Sequence, residues 1–267
     1  MRFCALGSGS EGNAWIVESE GTQGSVTATR VMIDCGFTLR ETVARLSSRG
    51  LTPADLQGVL VTHEHDDHVG GVFRFARKFG TPVYSTMGTF MASVRARLVD
   101  VSWLQEGKVR IFNPETAWSI GDLHIQPFTV PHDAAEPAQF VVTDGRHRFG
   151  IMTDCGMATP HIVERLSGCD ALVLESNHDA DMLHRSDYPG SLKRRISGDY
   201  GHLSNDAAHA ILSAIDRDSL RCLVAAHLSQ NTNSPERVRE SWLGTLQVYG
   251  GEFCFADQHS GLDWRTL

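Results

Sequence analysis

The strongest structural signal in this chain is the stretch Val59-Leu60-Val61-Thr62-His63-Glu64-His65-Asp66-Asp67-His68-Val69-Gly70-Gly71. A short apolar run rich in β-branched residues is followed, at positions 63–68, by three histidines and three acidic residues. Placing so many ionisable side chains together is costly in free energy unless a positive charge holds them. Imidazoles and carboxylates are ligands for divalent cations. The stretch therefore predicts a buried strand ending at a metal site, followed by a helix from Val69 to Phe79.

The spacing within this stretch suits two cations. In an extended segment the side chains of His63 and His65 point the same way, because alternate residues share a face. Where the strand turns into the helix, Asp67 and His68 turn toward an adjacent point. One metal could take the first pair and a second metal the other, and a shared carboxylate would bridge two ions ~3.5–4 Å apart.

Composition indicates which broad class of protein this chain forms. Hydrophobic residues make up 41% of the 267 residues and charged residues 21%, which predicts a substantial core and a single domain over residues 1–267. We predict neither a membrane span nor a signal peptide. The six cysteines form no Cys-x-x-Cys pair, which is typical of reduced thiols in a cytoplasmic protein. A net charge of −8 argues against a broad basic face for nucleic acid but leaves room for a local basic pocket.

Apolar strands alternate with helical segments along the chain, which predicts an α/β fold with helices covering sheets. The pattern predicts a hairpin tip near residues 21–28 and a last strand from Glu252 to Phe255. Five of the predicted strands end in a residue that can bind a metal, and this recurrence is more informative than any one histidine. These strand-end residues are Asp34, His63 with His65, His132, Asp154 and His227.

The motif His63-x-His65-x-Asp67-His68, with the other strand-end residues, resembles the metallo-β-lactamase superfamily over essentially the whole chain. The resemblance implies an αββα four-layer sandwich of two mixed β-sheets with helices outside and metals at one edge. It also implies two divalent ions, Zn²⁺ or Mn²⁺, and a role for Asp34 in supporting the ligand loop through hydrogen bonds. The implied ligands are His63, His65 and His132 for the first metal, and Asp67, His68 and His227 for the second, with Asp154 bridging.

Further loop motifs resemble a narrower group, the YycJ/WalJ (VicX) proteins, which are bacterial, cytosolic and regarded as DNA exonucleases. The resemblance implies DNA as the substrate and attack by a metal-bridging hydroxide that Asp67 orients. The motifs are Gly7 to Asn13, Ile33 to Gly36, Pro131 to Ala134, Glu175 to Asp179, Gly201 to Asn205 and Ala226 to Ser229.

His202 bears most directly on the choice of substrate. The sequence Gly201-His202-Leu203-Ser204-Asn205 before a helix resembles the histidine that phosphodiesterases of this superfamily, such as tRNase Z, place over the scissile phosphate. A proton donor is useful there because an alkoxide is a poor leaving group. The alternative is a loop histidine that only caps the helix.

Five residues near this loop are predicted to contact substrate. Two end the strand before the loop, two belong to the short basic run Lys193-Arg194-Arg195, and one starts the following helix. A basic run is suited to a phosphate backbone, although a solvated surface is the alternative. The five residues are Asn177, His178, Lys193, Arg194 and Ser204.

Two other classes of function compete with a nuclease. A thioester or lactone hydrolase of the same fold would not need His202, and its substrate fits the acidic net charge slightly better. A non-catalytic metal-binding module is disfavoured because every ligand position is filled. The sequence leaves open zinc against manganese, DNA against RNA, the polarity of digestion and the oligomeric state.

Overall fold

The computed structural model describes residues 1–21 and 28–267, and its strands form two seven-stranded sheets. The first sheet contains β1 (Arg2–Gly7), β2 (Ala14–Glu18), β3 (Arg30–Ile33), β4 (Gly58–Leu60), β5 (Val83–Ser85), β6 (Val109–Ile111) and β14 (Leu262–Thr266). The second contains β7 (Trp118–Ile120), β8 (Leu123–Thr129), β9 (Ala138–Thr143), β10 (Arg148–Met152), β11 (Ala171–Glu175), β12 (Cys222–Ala226) and β13 (Glu252–Phe255). The strand orders are β14-β1-β2-β3-β4-β5-β6 and β13-β12-β11-β10-β9-β8-β7.

Helices connect the strands and cover the outer faces of the sheets. None in the described ranges is long and apolar enough to span a membrane. The first half contains α1 (Leu39–Ser48), α2 (Asp66–Val69), α3 (Val72–Phe79), α4 (Met87–Arg95) and α5 (Ser102–Gln105). The second half contains α6 (Pro160–Leu166), α7 (Ala180–Arg185), α8 (Gly190–Ile196), α9 (Asn205–Ala214), α10 (Pro235–Ser241) and α11 (Leu243–Leu246).

Alternation along the strands builds three apolar layers. In β3, Val31 and Ile33 pack between the two sheets, whereas Met32 packs against the outer helices with Phe75 and Phe90. In β11, Val173 lies between the sheets and the residues on either side of it face the second set of helices. Successive strand side chains point to opposite faces, so both faces of each sheet are buried. The predicted αββα four-layer arrangement is confirmed.

The strands beside the predicted ligands run parallel. β3 pairs with β4 in the first sheet, and β10, β11 and β12 pair in succession in the second. Parallel neighbours end at the same edge of a sheet, so the residues that follow these strands gather on one side of the molecule.

Three details differ from the sequence prediction or lie beyond it. The predicted helix from Val69 to Phe79 is wrong at its start, because α2 ends at Val69 and α3 begins at Val72. Gly71 forms the break between them, and a Cβ there would lie 2.1 Å from the Phe37 carbonyl oxygen. Glu252–Phe255 is not the last strand, since β14 follows and pairs antiparallel with β1. The hairpin tip near residues 21–28 falls largely outside the described residues.

Candidate metal centre

The strand-end residues lie on a backbone that turns sharply. Asp34, Asp154 and His227 have φ angles of 60°, 56° and 54°, in the left-handed region. Residues other than glycine rarely adopt this conformation, which costs on the order of 1–3 kcal/mol each. Each of the three follows a parallel strand of the core, and the turn directs its side chain across the end of the sheet. Local backbone strain is therefore present at three positions, each of which holds a candidate ligand or a residue that supports one.

Three histidines converge in the first group. One ligand atom from each of His63, His65 and His132 lies within 4.8 Å of the others. His132 Nε2 is 3.2 Å from His65 Nδ1, while the buried His63 Nε2 has no hydrogen-bond partner among the described residues. Burial, joined by neighbouring imidazoles, lowers the pKa of His63 and His132, so both rings are neutral at physiological pH. A neutral imidazole offers the lone pair that a metal needs.

Two carboxylates and two histidines form the second group, again with ligand atoms within 4.8 Å of one another: Asp67, His68, Asp154 and His227. Asp154 Oδ2 lies 3.0 Å from His68 Nε2, and Asp67 Oδ2 lies 3.4 Å from the Nε2 atoms of both histidines. Burial disfavours charge on His227, but Asp154 and its other acidic neighbours raise its pKa to about 10. Without a cation, protonated imidazoles balance the carboxylates, and a bound metal would take over that role.

The far side of four imidazole rings is fixed by a hydrogen bond. Each Nδ1 atom meets an acceptor at 2.8–3.1 Å, which leaves Nε2 directed at the centre. Metal-binding histidines characteristically show this arrangement, because the outer bond sets both the tautomer and the ring orientation. The pairs are His63 with Thr62 Oγ1, His68 with Asp34 Oδ2, His132 with the Gly201 carbonyl, and His227 with Glu175 Oε1.

Asp34 ties the motif loop together. Its Oδ1 accepts from the Thr62 backbone N–H at 2.8 Å, and its Oδ2 accepts from the Thr62 hydroxyl at 2.7 Å. The same Oδ2 lies 2.8 Å from His68 Nδ1. One buried carboxylate thus joins the residue before the motif to a histidine at its end. This geometry is the one expected of the supporting role predicted for Asp34.

The donor set fits two divalent cations. The buried His63 Nε2 has no hydrogen-bond partner in the described part of the chain, and Asp154 Oδ2 has no partner there beyond its 3.0 Å ion pair with His68 Nε2. Unpartnered buried polar atoms cost about 1–3 kcal/mol each, so they mark positions where another group belongs. Three imidazoles on one side, and two imidazoles with two carboxylates on the other, supply the nitrogen and oxygen ligands that zinc and manganese accept. We call the seven residues of these two groups the His/Asp cluster.

Glu175 ends β11, where the sequence predicts a residue that lines the cleft and either supports the ligands or contacts substrate. Its completely buried side chain accepts four hydrogen bonds. Oε1 accepts from His202 Nδ1 at 2.9 Å and His227 Nδ1 at 3.1 Å, and Oε2 from the Leu203 and Cys155 backbone N–H groups at 3.0 Å. Four partners fill the lone pairs of an ionised carboxylate, so Glu175 orients two histidines and has no capacity for a metal of its own.

The Glu175 carboxylate and the His202 imidazole each favour the charged form of the other. Burial would raise the pKa of Glu175, but His202 and His227 lower it to about 2. Burial likewise opposes charge on His202, yet Glu175 and then Asp154 outweigh it and raise its pKa above the ordinary value. His202 therefore holds its proton to a higher pH than an ordinary imidazole does.

A cleft of about 370 Å³ opens over the centre. Its floor includes Asp67, Asp154, His202 and His227, and Asn177 also lines it while its amide donates to the His227 carbonyl at 3.1 Å. Tyr188 and three residues of α8, which are Leu192, Arg195 and Ile196, also line the cleft.

The other predicted substrate contacts lie outside this lining in the described chain. The Lys193 ammonium donates to the carbonyls of His184 and Ser186 at 2.7 and 2.6 Å. The Ser204 hydroxyl accepts from the Ala207 backbone N–H and caps α9. His178 is buried, which lowers its pKa to about 4, and Arg194 is exposed on α8. Of the basic run it is Arg195 that reaches the cleft, where it donates two hydrogen bonds to Asp133 at 2.6 and 3.2 Å.

The polar loop from Gly7 to Asn13 lies against the centre. Ser8 Oγ accepts from the His227 backbone N–H at 3.1 Å, and Asn13 Nδ2 lies 3.1 Å from His68 Nε2. Close approach here requires Gly36, where a Cβ would lie 1.9 Å from the Asp67 carbonyl oxygen. The two ends of the chain thus contribute to holding the motif loop in place.

Comparisons with known proteins show the family of this chain. A family model described as the beta-lactamase superfamily domain matches residues 29–227. The chain is 32% identical over 250 residues to exodeoxyribonuclease YycJ of Bacillus anthracis, covering 94% of this chain and 90% of the relative. It is 29% identical over 267 residues to exodeoxyribonuclease WalJ of Streptococcus pneumoniae, covering 100% of this chain and 93% of the relative.

A solved structure extends the agreement to the fold. The metallo-beta-lactamase fold protein YhfI from Bacillus subtilis aligns with a TM-score of 0.69 at 17% identity, covering 99% of this chain and 98% of that one. At this identity the likeness bears on the fold alone. The family match and the YycJ likeness confirm the resemblance predicted from the motifs, and this chain belongs to the beta-lactamase superfamily and has the metallo-β-lactamase fold.

Proposed function

We propose that this protein is a dinuclear-metal-dependent phosphodiesterase that removes nucleotides from a DNA end. The hydrogen bond between His202 and Glu175 carries the proposal, because it fixes an imidazole that can donate a proton in the cleft, beside the His/Asp cluster. The names of the two curated relatives, both exodeoxyribonucleases, support DNA as the substrate.

In this proposal the His/Asp cluster holds two ions, Zn²⁺ or Mn²⁺. His63, His65 and His132 would bind the first, Asp67, His68 and His227 the second, and Asp154 both. When bound, such a pair lowers the pKa of water enough to supply a nucleophile at neutral pH and neutralises charge on phosphoryl oxygens. Histidine-rich ligation suits zinc, and the mixed carboxylates also accept manganese.

The residues of the chain then have distinct tasks. Asp67 orients the attacking water, since its carboxylate lines the cleft and is held ionised by His68 and His227. His202 donates its proton to the departing oxygen of the scissile phosphodiester, and Glu175 keeps the imidazole aligned. Asn177 contacts substrate from the wall of the cleft. Asp34 acts only by positioning, through Thr62 and His68.

A thioester or lactone hydrolase accounts less well for this geometry. A thiolate leaves without a proton from the enzyme, so a thioester hydrolase has little need for a histidine held by a completely buried carboxylate. A lactone expels an alkoxide, and the substrate panel below separates that case. The six free cysteines support a reducing compartment, and we place the enzyme in the cytoplasm.

The test is a substrate panel with metal-reconstituted protein. Bis-p-nitrophenyl phosphate and end-labelled DNA, single- and double-stranded, should be cleaved, whereas a lactone and a thioester should not. His202→Ala should reduce DNA cleavage by ~10²–10⁴-fold with metal content retained. The loss should be much smaller on bis-p-nitrophenyl phosphate, because p-nitrophenolate leaves readily without a proton.

A pH profile gives an independent reading of the same residue. The raised pKa of His202 means that its acid form persists to a higher pH than that of an ordinary imidazole, so activity on DNA should fall as the pH rises through that pKa. His202→Ala should remove this alkaline limb. An unchanged profile, or hydrolysis of the acyl substrates in preference to DNA, would contradict the proposal.

A further inference from the structure

Helix α8 is unusual in having no buried residue. Its apolar side chains, Leu192 and Ile196, are four residues apart and therefore lie on one face of the helix. An apolar helix face normally packs into a core. Here both residues, with Tyr188 just before the helix, instead line the cleft above the His/Asp cluster. We call Tyr188, Leu192 and Ile196 the apolar wall.

The aromatic member of the wall is held in position. The Tyr188 hydroxyl accepts a hydrogen bond from Asn231 Nδ2 at 2.9 Å, which anchors the ring at its hydroxyl end. Pro189 follows immediately and restricts the backbone before the helix begins at Gly190. A half-buried ring fixed at its hydroxyl end offers an apolar face at low entropic cost, as aromatic residues in binding sites do.

The charges that line the cleft and its volume indicate what kind of molecule contacts the apolar wall. Arg195 from the same helix lines the cleft, and its guanidinium forms two hydrogen bonds with Asp133, the residue after the candidate ligand His132. An occupant of the cleft thus meets the His/Asp cluster, the Arg195 cation and the apolar wall. A volume of about 370 Å³ lies near the lower limit for a small-molecule cleft, the size of a single nucleotide.

We propose that the apolar wall binds one unpaired nucleobase of the substrate, next to the scissile phosphate. The inference rests on the proposed function and adds the form of the substrate to it. Bases stack on aromatic and apolar side chains with little regard to sequence, because every base presents a flat face. The planar apolar group of a nucleotide meets the wall while its phosphate meets Arg195 and the His/Asp cluster. A terminal base pair must therefore open before its nucleotide is removed.

The test compares two phosphodiesters that differ only in the base-bearing half. Thymidine 5′-(p-nitrophenyl phosphate) carries a nucleoside, and methyl p-nitrophenyl phosphate carries none, while the leaving group is the same. For the metal-loaded wild-type protein, kcat/KM should be at least ~10-fold higher for the thymidine compound, since stacking of one base is worth about that factor or more. Tyr188→Ala and the double variant Leu192→Ala with Ile196→Ala should each bring this ratio down toward one.

Matched variants separate the ring from other effects. Tyr188→Phe keeps the ring and removes the bond to Asn231, so it should retain most of the preference. Tyr200→Ala removes a tyrosine that is 64% exposed and lies outside the cleft lining, and it should leave the ratio unchanged. The double variant keeps the test valid if Tyr188→Ala fails to fold, because neither Leu192 nor Ile196 is part of the buried core.

Each outcome has one meaning. A wild-type ratio near one, or a ratio that survives both wall variants, overturns the apolar wall and leaves the proposed phosphodiesterase standing. Hydrolysis of neither compound by the metal-loaded protein overturns the proposed function, and the inference with it. On DNA, faster removal of a mismatched terminal nucleotide than of a paired one would support the wall, and equal rates would count against it.

Discussion

The His/Asp cluster and the apolar wall line one cleft, yet they are built in opposite ways. Four imidazoles of the cluster have their outer nitrogen fixed by a hydrogen bond. Two members of the cluster, Asp154 and His227, lie on a left-handed backbone. The wall lies mainly on α8, in which no residue is buried. The chemistry is thus fixed by the core, whereas the surface that selects substrate is nearly independent of it.

This difference has a physical consequence for substitution. A change in the cluster disturbs buried charge, where an unpaired group is costly. A change in the wall alters half-exposed apolar contacts, which contribute little to stability. We therefore expect cluster variants to lose metal and activity together, and wall variants to change substrate preference with little change in melting temperature.

The largest effect is expected at Asp154. Asp154→Asn keeps a residue that tolerates the left-handed backbone, so the substitution tests the charge rather than the turn. We expect at least one of the two metal ions to be lost, with a decrease in activity of about 10³-fold or more, since a bound metal supplies several kcal/mol of transition-state stabilisation. Metal content by mass spectrometry and kcat on DNA are the measurements.

A matched control lies at the opposite edge of the same sheet. Asp170 is buried and accepts a hydrogen bond from the Arg148 backbone N–H at 2.8 Å, far along the strands from the cluster. Asp170→Asn should lower stability and retain both ions. If Asp154→Asn kept two ions and full activity, the bridging role would be refuted.

An intermediate effect is expected at Asp34, which touches the cluster only through Thr62 and His68. Asp34→Asn should weaken metal affinity by about 10–100-fold, the usual consequence of losing an outer partner of a ligand. Thr62→Val removes one hydroxyl and retains the carboxylate, so its effect should be smaller. Competition with a chromophoric chelator measures both, and equal affinities for Asp34→Asn and wild type would show that the carboxylate does not support His68.

The same contrast explains how much could be predicted from the sequence. The strand-end residues were recognisable because a short motif and the parallel strands on either side of it bring their positions together by local geometry. The fold class followed from the same pattern and is confirmed. The metal and catalytic roles of individual residues remain predictions that the variants above address.

What the sequence did not reveal depends on distant contacts. β14 pairs with β1 across almost the whole chain, and its mixture of charged and apolar residues is a weak strand pattern that the sequence prediction left out. Glu175 gains its role only when the loops carrying His202 and His227 fold over it. The stripe of Leu192 and Ile196 is typical of a core-facing helix, and only the tertiary structure turns it toward a cleft.

The smallest effect is expected in the basic run, and it separates the residues that the sequence grouped together. Arg194 is exposed, whereas the Lys193 ammonium already donates to two carbonyls. If Arg194 meets a DNA phosphate, Arg194→Ala should weaken binding only modestly and reduce the slope of log K against log salt by about 0.9. Lys193→Ala should change the slope less and lower stability instead.

Arg146 provides the comparison for this last measurement. It is an exposed arginine in the turn before β10, at the opposite end of that strand from Asp154, and Arg146→Ala should leave the salt dependence of DNA binding unchanged. Fluorescence anisotropy of labelled DNA over a salt series gives all three slopes. Equal slopes for Arg194→Ala and Arg146→Ala would assign the outer face of α8 to solvent and confine substrate contacts to the residues that line the cleft, with Arg195 as the cation of the run that reaches it.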